Sequence, residues 1–161
     1  MKNIAIAAVA AVTLGLTACS PPAATKVEAP AAAAPAPTSQ ADMEAAVARH
    51  VTAVKAADLA GVMADYADDA ILVAPPGTAN VATGTLVGKT DVQKFFVWLA
   101  TPEVLPAAQS MVTTNEIVGP NTLLFRWTQF PGTPKEVKGY DVFVFRAGKI
   151  IFQTTAPMPP A

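Results

Sequence analysis

The 161-residue sequence predicts an α+β fold, and two observations carry the prediction. In residues 41–100, apolar side chains recur at helical spacing behind polar capping residues. In residues 111–155, they alternate with a period of two between turns rich in Gly and Pro. Helices first and hairpin-linked strands later give helices on a mainly antiparallel sheet, not alternating βαβ units.

Each element has its own signal. Thr38-Ser39-Gln40 offers caps, and Met43, Val47, His50 and Val54 form one stripe, so a helix is expected over about 41–56. Asp58 caps a second, shorter helix expected to run through Tyr66. Asp68-Asp69 reads as a turn, Ala70–Ala74 as a buried strand, and Pro75-Pro76-Gly77 as its end. A short strand is expected around Thr85–Val87. Thr90 and Gln93 have capping-box spacing ahead of Val92, Phe95, Phe96 and Leu99, which make a third helix. After Pro102 and Pro106, strands are expected at 111–118, 123–130, 137–146 and 150–155. The links Pro131-Gly132-Thr133-Pro134 and Ala147-Gly148-Lys149 read as hairpins.

The N-terminal part reads as an address. Lys2 precedes an apolar run from Ile4 to Leu16, a secretory signal pattern too short for a membrane span of about 20 residues. The only cysteine, Cys19, closes Leu16-Thr17-Ala18-Cys19, which resembles a bacterial lipobox. That resemblance implies a signal peptide over 1–18 and lipidation of Cys19, with more than one acyl chain for stable anchoring in a bilayer. By resemblance to enterobacterial sorting rules, Ser20 after the cysteine implies the outer membrane over the inner, facing the periplasm. Residues 19–40 are Ala- and Pro-rich and read as an extended tether of roughly 60 Å at about 3.1 Å per residue. The alanines of signal and tether raise the mean hydropathy, which is therefore no sign of a spanning helix.

Residues 41–157 are one domain's worth of chain, without internal repeats. Net charge is −1 with no basic stripe, which argues against nucleic acid as a partner. One histidine and one cysteine cannot make a zinc site, and no phosphate loop or nucleophile elbow is present, so no metal or cofactor is expected.

Three stretches resemble SnoaL-like domains of the nuclear-transport-factor-2-like class. They are His50–Ile71, Gly88–Phe96 and Gly139–Ile150, in the order and spacing of that family. The resemblance implies a cone, in which three N-terminal helices pack in the concave face of a curved sheet around an apolar pocket. Ketosteroid isomerases are the family's best-understood members, and the matching implies roles residue by residue. His50 stands where they carry an oxyanion-binding tyrosine, Tyr66 where they carry an aromatic, and Asp141 where they carry a protonated aspartic acid. Ala74 stands in place of their general base, and an alanine abstracts no proton.

His50 and Asp141 are the candidate catalytic residues, and each has two readings. His50 lies on the apolar helix stripe, either as a core histidine satisfied by one polar neighbour or at the pocket rim, or as a donor or base towards a ligand. Asp141 shares a strand face with Gly139, Phe143 and Phe145. Burial would keep it neutral, a protonated histidine beside it would ionise it, and a tie to His50 or a backbone amide would make it structural. Tyr66, Phe95, Phe96, Phe125, Trp127 and Phe143 are the candidate ligand-binding residues. Trp98 is expected mostly in the core and Arg126 on the outer face.

The expected function is a membrane-anchored periplasmic lipoprotein that binds a small apolar or amphipathic molecule. Two alternatives stand beside it. One is an isomerase, dehydratase or cyclase working through His50 and Asp141. The other is a homodimeric interaction module with a vestigial pocket.

Overall fold

The computed structural model describes residues 36–159. Cys19, the signal segment and most of the tether lie outside the described residues. Among the described residues, four α-helices and six strands follow one another, with a short 3-10 turn at Thr78–Asn80: α1 Gln40–Lys55, α2 Leu59–Ala64, β1 Tyr66–Val73, β2 Thr85–Val87, α3 Lys89–Leu99, α4 Leu105–Ser110, β3 Val112–Gly119, β4 Thr122–Gln129, β5 Val137–Arg146 and β6 Lys149–Pro157. The strands form one curved sheet in the order β2-β1-β6-β5-β4-β3. Only the β1–β6 pair is parallel. The α+β expectation holds, with helices covering one face of the sheet.

Helix α1 starts where its sequence says it must. The Ser39 hydroxyl accepts from the Asp42 amide at 3.1 Å, satisfying one of the free N–H groups of the first turn. Met43, Ala46, Val47, His50, Ala53 and Val54 form its buried stripe. Asp58 caps α2 by accepting from the Gly61 amide at 3.0 Å. A β-carbon at position 61 would displace that carboxylate, so glycine leaves the cap undisturbed.

Several boundaries differ from the expectation, each for a physical reason. Helix α2 stops at Ala64, and Tyr66 opens β1 instead of closing the helix. Asp68 and Asp69 do not turn the chain. They lie within β1, where the register against β6 shifts between Tyr66 and Ile71 and leaves both carboxylates exposed. The Thr90–Gln93 pair does not cap α3. The helix opens at Gly88, at φ +84°, with no side-chain cap. Helix α4 was not expected, because Pro106 reads as a breaker. It sits in the first turn, where the missing N–H costs nothing. The link between β3 and β4 is a tight hairpin as well, pairing Gly119 with Thr122.

The core lies between helices and sheet. Leu123, Phe125 and Trp127 of β4, Phe143 and Phe145 of β5, and Tyr66, Ala70 and Leu72 of β1 face Met43 and Val47 of α1 and Val92, Phe95 and Phe96 of α3. Burial alternates along β5 from Gly139 to Phe145, as the period of two requires. No helix among the described residues is long and apolar enough to cross a membrane.

Candidate functional site

A cavity of about 280 Å³ lies between the helices and the inner face of the sheet. His50, Val51 and Val54 of α1 form one side, and Phe95, Phe96, Trp98 and Leu99 of α3 another. Val104, Ala107, Ala108 and Met111, in and around α4, close a third. Helix α4 is held there by its neighbours. The Lys55 ammonium donates to the Met111 carbonyl at 2.7 Å, and the Ser110 hydroxyl accepts from the Phe130 amide at 2.9 Å. The floor comes from β4, β5 and β6, whose lining residues include Phe125, Trp127, Gln129, Asp141, Gln153 and Thr155.

The polar groups of the floor are linked. Trp127 Nε1 donates to Asp141 Oδ1 at 2.8 Å, and Gln153 Nε2 donates to Asp141 Oδ2 at 2.7 Å. The Tyr66 hydroxyl donates to Gln153 Oε1 from behind the floor. Thr155 lies directly opposite Asp141 across the β5–β6 ladder. Gly139 makes the first of these bonds possible, because the Trp127 indole lies over the place a β-carbon would occupy. Trp127 and Gly139 are paired across β4 and β5, so the indole reaches along the strand to the next inward residue, Asp141.

His50 is the opposite case. Its ring meets Tyr66, Phe96 and Phe143 edge to face, with centroids 5.7, 5.4 and 5.5 Å away. Its Nδ1 is buried without a hydrogen-bond partner among the described residues. Neither structural tie expected from the sequence is present: no polar neighbour satisfies that nitrogen, and Asp141 is bonded to Trp127 and Gln153 instead of His50.

Burial sets the charges. It lowers the His50 pKa to about 4, so the ring is neutral at pH 7. It raises the Asp141 pKa to about 6, against the pull of hydrogen bonds from Trp127, Gln153 and Thr155. Asp141 is therefore mostly ionised at pH 7. Burial and the charges of Asp141 and Asp65 push the Tyr66 phenol well above its ordinary value, so it remains a donor. No Lys or Arg lines the cavity, which thus presents one carboxylate in an apolar surround. Among the described residues, no three His, Cys, Asp or Glu side chains converge as a metal site would need.

The sequence profile of the SnoaL-like domain family matches residues 47–153, most of the chain. The chain belongs to the SnoaL-like domain family. No curated protein matches it. Solved structures of the same fold include a nuclear-transport-factor-2-like protein of unknown function from Burkholderia xenovorans. It is 20% identical, covers 75% of this chain and 86% of its own, and has a TM-score of 0.58. A SnoaL-like protein of unknown function from Burkholderia thailandensis is 18% identical over 76% of this chain and 100% of its own, with a TM-score of 0.57. TerC, co-crystallised with polyporic acid, is 16% identical over 73% of this chain and 91% of its own, with a TM-score of 0.54. At these identities the likeness is one of fold.

Within this SnoaL-like domain, His50, Asp141, Phe95, Phe96, Phe125 and Trp127 all line the cavity. Tyr66 and Phe143 do not. Tyr66 is fully buried behind the floor and acts through Gln153, while Phe143 packs against His50 and Phe125. Ala74 is buried, and its amide donates to the Gly84 carbonyl at 2.8 Å. It is Pro75 after it that reaches the cavity. Trp98, expected in the core, is part of the lining, and Arg126 is exposed and paired with Glu116 at 2.7 Å. Gln153 and Thr155 were not singled out from the sequence. Their one signal is an odd-even match with Asp141's inward face, two polar residues on the buried side of the last strand.

Proposed function

We propose that this SnoaL-like domain binds a small, mostly apolar molecule, and that Cys19 anchors it to a membrane on the periplasmic side. The observation that carries the binding reading is the cavity, apolar on its helix side and ending on a floor of linked polar groups. Ligand sites combine these features: an enclosed apolar volume and a few convergent polar groups that fix orientation. At about 280 Å³ the cavity falls just below the usual range of about 300–1,000 Å³. The co-crystal of TerC with polyporic acid associates the same fold with a small molecule, which supports the class of ligand without naming one. The lipobox resemblance supports the anchor, and its residues lie outside those described.

Both tryptophans of the chain, Trp98 and Trp127, line the cavity, so intrinsic fluorescence reports its occupancy. Titration with 4-phenylbutan-1-ol is expected to change that fluorescence saturably. A dissociation constant on the order of 100 μM follows from about 0.5 kcal/mol per non-hydrogen atom. The variant Ala108→Trp places a large ring in the cavity from α4 and is expected to abolish the response in a folded protein. A non-saturable change, or one that Ala108→Trp leaves intact, contradicts the reading.

His50 favours a second reading, that the cavity performs acid/base chemistry. An orphaned buried ring nitrogen is destabilising, and such costs persist mainly where function requires the group. In that case the neutral His50 ring accepts a proton from the bound molecule, and Asp141 orients it.

A further inference from the structure

The hydrogen-bond polarity of the cavity floor specifies the head group of the molecule it holds. An indole N–H can only donate, so Asp141 Oδ1 can only accept from Trp127. Gln153 is oriented by Tyr66, whose hydroxyl donates to Oε1, and this turns the amide N–H₂ towards Asp141 Oδ2. Both carboxyl oxygens therefore accept, and these bonds favour the carboxylate form against the burial that raises its pKa. This polarity is the reverse of a protonated acid that donates to a ligand oxygen.

The carboxylate also lacks a counter-charge. No Lys or Arg lines the cavity, and His50, its other titratable lining residue, is neutral at pH 7. A carboxylate has about four lone-pair directions, and Trp127, Gln153 and Thr155 use three of them. What remains at the end of an apolar cavity is a negative acceptor with unused capacity.

We propose that the cavity selects apolar molecules whose head group is a hydrogen-bond donor, a hydroxyl or a protonated amine, and discriminates against carboxylates with the same body. This rests on the reading of the cavity as a binding site. A hydroxyl donates to Asp141, and an ammonium adds charge neutralisation to the same bond. A carboxylate head group meets a like charge in a low-dielectric surround, with no Lys or Arg in the lining to offset it.

The test uses three probes with one body, 4-phenylbutan-1-ol, 4-phenylbutylamine and 4-phenylbutyrate, titrated against the purified protein at pH 7.5. The alcohol and the amine are expected to bind at least about tenfold more tightly than the carboxylate. In Asp141→Asn that preference is expected to fall to within about twofold. Should that variant fail to fold, the ranking on the unmodified protein stands as the test by itself. Binding of the carboxylate as tight as the alcohol overturns the head-group assignment while leaving the cavity a binding site. Binding of none of the three overturns the cavity reading and the assignment with it.

Discussion

His50 has an unpaired ring nitrogen among aromatic neighbours, and Asp141 has a charge without a counter-ion. Both are costs to folding. An unsatisfied buried polar atom costs about 1–3 kcal/mol, whereas an apolar replacement of similar shape is neutral or better. The variant His50→Phe is therefore expected to raise stability at pH 7 by about 1 kcal/mol, or roughly 4 °C in Tm. A loss of stability would instead mean that the imidazole is satisfied in solution. The two residues also oppose each other in pH dependence. His50 has a depressed pKa in the fold, so its contribution is intact above about 6.5 and is lost as pH falls towards about 4. Asp141 has a raised pKa, so its contribution is present below about 3.8 and is lost as pH rises through about 6. Each shift is worth on the order of 3 kcal/mol, and the two nearly cancel. Denaturant melts from pH 7 to 4 are expected to show little change from this pair in the native chain. In His50→Phe stability should rise on acidification, and in Asp141→Asn it should fall. Parallel profiles in the two variants would show that the shifts are not those of buried groups.

At the scale of elements, local signals were enough where the sequence supplied a cap or a strict alternation. Ser39 and Asp58 start their helices, and the alternation from Gly139 to Phe145 identifies the inward face of β5. Helix α4 was not legible, because a proline in a first turn and a proline that ends a helix look alike without tertiary context. Nor was the bulge in β1, where an acidic pair resembles a turn but is carried by parallel pairing to a strand far away in sequence. The site was half legible for the same reason. His50 and Asp141 stand out as polar residues in apolar patterns, while Gln153 gains its role only through Tyr66 and Asp141. The cap of α2 is the element-level claim most open to measurement. Removing the Asp58 carboxylate with Asp58→Ala is expected to cost about 1 kcal/mol, seen as a lower urea midpoint with an unchanged slope. An unchanged midpoint would mean that α2 is held by packing alone.

At the scale of the whole molecule, the described chain begins docked to the sheet. The Thr38 amide donates to Asn121 Oδ1 at 2.8 Å, and the Gly148 amide donates to the Thr38 hydroxyl at 3.1 Å. Asn121 and Gly148 belong to the β3–β4 and β5–β6 turns, whereas the cavity residues Gln129, Val137 and Pro157 lie at the other ends of the same strands. Thr38 is thus held at the end of the domain remote from the cavity. With Cys19 as the proposed anchor, Cys19→Ser is expected to move the protein from the membrane fraction to the soluble fraction in its host. Retention in the membrane would remove the lipid anchor from the account. The central claim is that the cavity holds a small molecule with a donor head group. Native mass spectrometry of the protein purified from its own host tests it most directly. A non-covalent adduct of one small molecule bearing a hydroxyl or amine is expected, absent from Ala108→Trp. A protein that flies without any adduct, or one whose adduct survives in Ala108→Trp, would contradict it.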